Sequence, residues 1–523
     1  MKPLDLDILS RTELTALVEA QGAELLALKA EIEHLRAEIA RLKGRPPRPT
    51  LKPSGMEQAT ERAPAGPRGA RRRGPTKSKL VVDEDRVLEA PAPAGSRFKG
   101  YEEFVVQDLI VRPHVVRFRR ERRVLADGGT VTAPLPAGID GHFGPGLKRF
   151  VVALYHQGQT TVARLTTLLR DIGIHISKRQ VLRLLHDPDG TLRAEAAAVR
   201  HDGLASARWL SVDDTGARHK VRNGFCTRLG DHRFTIFATR TSKSRRSFLE
   251  MLCGDAPGFT INEAALEHLR ACRLPANQIA RLAGHPQRHF ADAQAWRSHL
   301  EALGLTGMSQ TPDPALLATE AALWGCAVER GVAADLTVLS DDAGQFRVGH
   351  HALCWVHAER LVHTLPCLSL AQQRTVERVR AGIWDLYGRL KAWRQDPRPD
   401  EAPALEAAFD AVFRQKTPNH GELTRLLARL YGRKAELLAV LRQPAVPLHT
   451  NDAENDLRSY VTRREISFGT RSDTGRDSRD ASLSLLKTAT KLGIPFWKFL
   501  AARFSIDGAQ EIPPLNELVL KAA

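Results

Sequence analysis

Residues Trp209-Leu-Ser-Val-Asp213-Asp214 read as a strand that ends in two carboxylates, and Leu336-Thr-Val-Leu-Ser-Asp341-Asp342 repeats the pattern. Asp is a poor strand former, so acids at two strand ends answer to something other than propensity. Ends of adjacent strands are where sites form in α/β sheets. Between the two runs, Gly224-Phe-Cys-Thr-Arg-Leu229 and Phe234-Thr-Ile-Phe-Ala-Thr239 read as further strands joined by short turns, and Lys243 to Leu252 as a helix. Another strand is expected at Ala352-Leu-Cys-Trp-Val356. Three strands, a helix and then more strands is an α/β order.

A third acid stands in Leu448-His-Thr-Asn-Asp-Ala-Glu454-Asn-Asp-Leu-Arg458. Thr450 or Asn451 can cap a helix with Ala453, Leu457 and Val461 inward, which puts Glu454 in the first turn, near the positive helix end. Three converging carboxylates repel unless cations sit among them, and hard oxygen ligands suit Mg²⁺ or Mn²⁺. Two such ions ~3.5–4 Å apart serve phosphoryl transfer. The plain alternative is chance, since 60 acids put some at strand ends.

Between the second and third acids, 372–394, 401–415 and 420–443 read as helices, an all-α insertion within about 361–445 that delays the return to the core at 446–523. The first part of the core spans 205–360, with an extra helical segment at about 255–335, helical above all from Pro275 to Leu305. Upstream, 95–200 reads as a helical domain. Leu147, Phe150, Val151 and Leu154, then Val162, Leu165 and Leu169, then Val181, Leu184 and Leu185 mark three helices with tight turns. Ser177 caps the third, whose first residues Lys178, Arg179 and Gln180, followed by Arg183, fit a recognition helix entering a major groove. Any small helical subdomain can share that pattern.

Residues 10–44 carry a 3.5-residue repeat: Leu14, Gln21, Leu28, Leu35 and Leu42 in one register, Val18, Leu25, Ile32 and Ile39 in the other. Glu24, Glu31 and Glu38 flank one side and Lys29, Arg36 and Lys43 the other, which predicts a parallel homodimeric coiled coil. The 45–94 arm follows. Its stretch 45–79 holds ten Lys/Arg, two acids, seven Pro and four Gly, and reads as a flexible chain. Arg71, Arg72 and Arg73 either neutralise phosphates or belong to a solvated tether.

The whole chain of 523 residues holds 77 Lys+Arg against 60 Asp+Glu, a net +17 that favours a polyanionic partner. Its 42% hydrophobic content excludes wholesale disorder. Six scattered Cys without CxxC pairs exclude a disulfide framework and a four-cysteine zinc site. With no apolar run of membrane-spanning length and no signal-like start, a cytoplasmic protein is expected. Cys354-x-x-His357 has no second pair at ligand spacing, so a buried thiol beside a hydrogen-bonding His is expected there rather than zinc. Arg458, Arg463, Arg464, Arg471, Arg476 and Arg479 either clamp DNA phosphates near Glu454 or pair with Asp473, Asp477 and Glu465.

Several blocks carry a resemblance. Val212-Asp-Asp-Thr215, Leu339-Ser-Asp-Asp-Ala-Gly-Gln-Phe346, Cys354-Trp-Val-His-Ala-Glu-Arg360 and Asn451-Asp-Ala-Glu-Asn-Asp-Leu-Arg458 resemble conserved blocks of the insertion sequence 66 family of bacterial transposases. So do Arg463-Arg-Glu-Ile-Ser-Phe-Gly-Thr-Arg-Ser472, Ser484-Leu-Leu-Lys-Thr488, Phe496-Trp-Lys-Phe-Leu500 and, upstream, Gly138-Ile-Asp-Gly-His-Phe-Gly-Pro145. The likeness covers most of 95–505. Two features depart from it: no Cys at 45–225, where members often carry a zinc module, and a long 255–335.

What the resemblance implies is a nucleoid-associated enzyme with an RNase H-like α/β catalytic core and an all-α insertion, behind a coiled coil and a helix-turn-helix-like domain. Asp213, Asp341 and Glu454 would bind two Mg²⁺ or Mn²⁺ ions and act in cleavage and strand transfer of double-stranded DNA, with Asp214 and Asp342 as runners-up. A DNA-binding regulator with an inert core, or an RNase H-like nuclease without strand transfer, are the rival readings.

Overall fold

The computed structural model describes residues 81–523, apart from 92, 137, 140, 188, 255, 309 and 310. The expected coiled coil, with Arg71, Arg72 and Arg73, lies outside the described residues. From 81 to 121 the chain has no regular secondary structure and is exposed throughout what is described. It then forms a short hairpin, β1 (Arg122–Val124) against β2 (Thr130–Thr132), closed through a turn at which Gly128 has φ 84°.

Three helices follow: α1 (Pro145–His156), α2 (Val162–Asp171) and α3 (Lys178–Leu185). Each begins where the sequence supplies a start. Pro145 opens α1, Thr161 accepts the Arg164 N–H on α2, and Ser177 and Gln180 form a capping box on α3. Val151, Val152, Leu165, Leu169, Val181 and Leu185 bury the shared face. Helix α4 (Thr191–Ser206) leads into the core.

That core is a mixed five-stranded sheet. Strands β3 (Trp209–His219), β4 (Arg222–Gly230) and β5 (Thr235–Arg240) pair antiparallel in succession, and α5 (Arg245–Cys253) leads away. After a detour through β6 (Phe259–Thr260), α6 (Glu263–Ala271), α7 (Ala276–Gly284), β7 (His289–Phe290), α8 (Ala293–Ala302) and α9 (Pro314–Glu329), the chain returns as β8 (Thr337–Ser340), parallel to β3. Strand β9 (His350–Leu353) lies parallel to β8, which completes the order β5-β4-β3-β8-β9.

Three sequence expectations for the sheet and the segment before β8 need correcting. Strand β3 does not end at Asp214 but runs to His219, because Thr215–His219 find partners in Arg222–Cys226. Trp355 and Val356 are not strand: Cys354 is the N-cap of α10 (Trp355–His363). The segment 275–305 is not one helix but α7 and α8 around the β6–β7 pairing, closed by Phe259 stacked on Trp296 at 5.4 Å.

Beyond α10 come α11 (Leu370–Gln395), α12 (Ala402–Phe413), α13 (Gly421–Tyr431), α14 (Lys434–Leu437) and α15 (Ala439–Arg442). The helix expected over 420–443 breaks at Gly432-Arg433. Fully buried Trp355 packs against Phe409 and Phe413, so this all-α insertion docks directly on α10. The chain closes with α16 (Asn451–Ser467), α17 (Asp473–Lys491), α18 (Phe496–Arg503) and α19 (Leu515–Lys521).

Helix α17 covers the outer edge of β5. The backbone N–H groups of Thr235, Phe237 and Thr239 donate to Thr488 Oγ1 (3.1 Å), Ser484 Oγ (2.9 Å) and Asp480 Oδ2 (2.7 Å). Two strand residues rise about 6.6 Å and four helix residues about 6.0 Å, so the spacings match and the edge is satisfied without another strand.

Candidate active site

The last parallel pair between β3 and β8 is Ser211 with Leu339. Asp213, on β3, and Asp341, one residue past the end of β8, each stand two residues further on, and the two-residue period puts Asp213 on the face that carries those paired side chains. Asp213 Oδ1 accepts the Asp214 N–H at 2.8 Å, and Asp341 Oδ1 accepts the Ala343 N–H at 3.0 Å. Burial pushes the Asp213 carboxyl up to about 6, with Asp341 and Glu454 adding repulsion against the Asp214 N–H and His357. Asp213 therefore lies within electrostatic reach of both other sequence-expected acids.

Glu454 lies in the first turn of α16, as expected, although Thr450 at the N-cap makes no side-chain cap bond. Two residues on, Asp456 anchors the helix. Its Oδ2 accepts from Arg228 Nε (3.0 Å) and Nη2 (2.8 Å) and from Thr235 Oγ1 (2.9 Å). Arg228, on β4, is fully buried and also donates to the Ser211 carbonyl of β3 at 2.8 Å. One buried cation thus ties the Glu454 helix to the strand that bears Asp213.

His357, from the first turn of α10, brings Nε2 to 3.6 Å from Glu454 Oε1. Burial opposes its charge, yet the neighbouring Cys354 thiol and Glu454 lift the imidazole to about 9. Cys354 is itself buried, which favours the thiol, but the adjacent imidazolium outweighs this and lowers it. The buried thiol beside a hydrogen-bonding His expected at Cys354-x-x-His357 is present, whereas the reach of that His to Glu454 had no signal in the sequence.

The runners-up are occupied. Asp214 Oδ2 accepts from Gln345 Nε2 at 2.9 Å. Asp342 pairs with Arg433 at 2.6 Å and Arg347 at 2.7 Å, with Arg429 at 3.9 Å. Gln345 and Arg228 were missed by sequence reading, because each acts through contacts more than 100 residues distant.

Among the described residues, no three His, Cys, Asp or Glu side chains are gathered closely enough to enclose a metal ion. The donor chemistry still suits a hard divalent cation: the Asp213 carboxylate lies within electrostatic reach of those of Asp341 and Glu454, and burial, with added repulsion from those two, disfavours it as an anion.

The expected DNA-contact residues divide. Lys178, Arg179 and Arg183 are exposed on the outer face of α3, and Arg458 is exposed on α16. Arg463 is a correction to the expected basic cluster: it is buried over the Tyr155 ring at 3.4 Å and donates to the Thr160 carbonyl, so it fastens α16 to the helical domain. Arg464 reaches Thr215 Oγ1 and the Gly216 carbonyl of β3. Arg476 pairs with Asp473 and Asp477, and Arg479 is buried with Asp480, Thr239 and Tyr460. Arg471 remains exposed.

Among the described residues no helix is long and apolar enough to cross a membrane. Residues 344–478, which carry His357 and Glu454, match the family model described as "Transposase IS66 family". The chain is also 44% identical over 323 residues to an uncharacterized protein, y4jO, of Sinorhizobium fredii (strain NBRC 101917 / NGR234), an alignment that covers 62% of this chain and 99% of that protein. With the acids, the insertion and the Glu helix in place, the chain belongs to the IS66 family of transposases.

Proposed function

We propose that this protein is a DNA transposase that binds the terminal inverted repeats of an insertion sequence, cleaves them and joins the freed 3′-hydroxyl to target DNA. The observation that carries the reading is the electrostatic coupling of Asp213 on β3 to Asp341, just past β8, and to Glu454 in the first turn of α16. Three antiparallel strands followed by two parallel ones, with acids on the two central neighbours, support an RNase H-like core.

In this reading Asp213, Asp341 and Glu454 would hold two divalent ions, Mg²⁺ or Mn²⁺. Such ions supply Lewis acidity and charge neutralisation for in-line displacement at phosphorus, which requires no protein nucleophile. The backbone N–H groups of Asp214 and Ala343 fix the two aspartates, and His357 steadies Glu454. Helix α3 reads the repeat through Lys178, Arg179 and Arg183, while Arg458 and Arg464 lie on the helix of Glu454, where phosphates would pass. The basic arm with Arg71, Arg72 and Arg73 adds charge, and the coil at 10–44 pairs two copies. The protein works in the bacterial cytoplasm, on the nucleoid.

The test is cleavage of a duplex bearing the element end, with Mg²⁺ or Mn²⁺ supplied. Asp341→Ala is expected to abolish cleavage and leave end binding within about threefold, since acids and reading helix belong to separate elements. Normal cleavage by that variant would remove the assignment. Cleavage without joining would favour the nuclease, and end binding without cleavage by the unaltered protein would favour the regulator.

A further inference from the structure

We propose that Arg112–Arg123 and the β1–β2 hairpin it enters form a second duplex-DNA surface, one that grips phosphates beside helix α3. The proposal rests on the reading of the chain as a DNA-end-binding transposase. The segment Arg112-Pro-His-Val-Val-Arg117-Phe-Arg119-Arg120-Glu-Arg122-Arg123 holds six Arg and one Glu in twelve residues. All twelve are exposed.

The bonds these arginines make are confined to their own ribbon. Arg120 donates to the Ala133 carbonyl at 2.5 Å, Arg122 to Thr130 Oγ1 at 3.4 Å, and Arg123 pairs with Glu121 at 2.8 Å. Arg112, Arg117 and Arg119 have no hydrogen bond or ion pair among the described residues. A two-stranded ribbon with three residues on each side buries no side chain and is marginal alone in water. Exposed Phe118, just before the ribbon and between two free arginines, suits a sugar or base face rather than bulk solvent.

Position points to the same partner. A Cβ at Gly173, in the turn between α2 and α3, would stand 3.2 Å from Pro113 Cγ, so the segment crosses that turn. At about 3.3–3.6 Å per residue, Arg117 lies at most about 14 Å of chain from Pro113, and Arg119 at most about 22 Å. The far side is fastened too: a Cβ at Gly138 would stand 3.3 Å from the Phe504 carbonyl oxygen, just past α18. The segment is thereby tethered at the turn that leads into α3, the helix whose exposed face carries Arg179 and Arg183. Its concentrated charge fits a polyanion, and β-ribbons fit the grooves and backbone of duplex DNA.

The experiment compares the full-length protein with Arg112→Ala/Arg117→Ala/Arg119→Ala, on the element-end duplex and a random duplex, at ~50 and ~200 mM salt. The triple variant is expected to weaken binding to both duplexes by the same factor. It should also flatten the slope of log affinity against log salt by about 2.7, which is three phosphate contacts at about 0.9 each. Replacing the same three by Lys should restore the slope. An Ala variant with the unaltered slope, a loss confined to end DNA, or a Lys variant as weak as the Ala variant would each overturn the proposal. If the unaltered protein binds both duplexes equally, end recognition falls while the slope still decides the ribbon.

Discussion

Asp213, on β3, and Asp341, one residue past the end of β8, each stand two residues beyond Ser211–Leu339, the final pair of the two parallel strands. Their spacing of 128 positions in the sequence is therefore irrelevant to their separation. Register sets it: a slip by one residue would turn one carboxylate to the opposite face, away from the other. The long 255–335 segment is tolerated because it leaves from α5 and returns into β8 without entering the pairing of Trp209–Ser211 with Thr337–Leu339.

Asp456→Asn should be among the costliest single changes. It leaves the fully buried Arg228 guanidinium without its anion, and breaking a buried pair by removing one partner costs about 3–5 kcal/mol. Chemical denaturation measures this. A midpoint equal to that of the unaltered protein would mean that Arg228 is satisfied by the Ser211 carbonyl and Thr235 alone, and that α16 is held by other contacts.

Acid sensitivity should report a relay beneath Asp341. Ser340 Oγ lies 2.9 Å from His351 Nε2, and His351 Nδ1 lies 3.2 Å from Glu436, which Arg433 also contacts. Burial works against the Glu436 carboxylate, yet His351 and Arg433 outweigh it and hold the group down at about 2, against an ordinary 4.5. A depressed carboxylate contributes stability that is complete above the unfolded value and is lost as pH falls from 4.5 toward 2. Glu436→Gln should cost on the order of 2 kcal/mol near neutrality, allowing for partial solvent screening, and this gap should narrow below pH 4.5. Thermal unfolding at several pH values checks it; a gap that stays constant with pH would show that Glu436 gives packing and not charge.

Ser484→Ala removes the acceptor of the Phe237 N–H, a buried donor on the edge of the sheet. An unpaired buried N–H costs about 1–3 kcal/mol, so denaturation should detect the change, while Ser482→Ala, at a neighbouring buried position of α17 with no bond to β5, should cost less. Amide exchange at Phe237 gives the local readout. Protection unchanged from that of the unaltered protein would mean that another group takes over the edge.

How much of this was legible beforehand follows from the range over which each residue acts. The strand cores, α3 with its Ser177 cap and the first-turn position of Glu454 rest on neighbours within a few residues, and those were readable. The length of β3 was not, since Asp213-Asp214 mimics an end while the pairing that prolongs it comes from Arg222–Cys226. Trp355 looked like strand because an aromatic beside Val and Leu suits one, whereas the burial that claims it is supplied by Phe409 and Phe413, more than 50 residues on. Arg463 and Arg479 looked like a phosphate clamp because sequence records charge but not the faces turned to Tyr155 and Tyr460.

Recognition of DNA ends should separate two kinds of arginine. On α3, Val181 and Leu185 are buried while Arg179, Leu182 and Arg183 face outward, so Arg179→Ala and Arg183→Ala leave the core intact. If that face enters a major groove, each lost bidentate contact to guanine removes about 1–3 kcal/mol of discrimination. The double variant should then lose roughly 30-fold or more on the element end and little on random duplex, with the salt dependence changed only modestly. Competition binding with both duplexes reads the difference directly. Equal loss on the two DNAs would make α3 a phosphate contact, and sequence reading would have to be sought on another element.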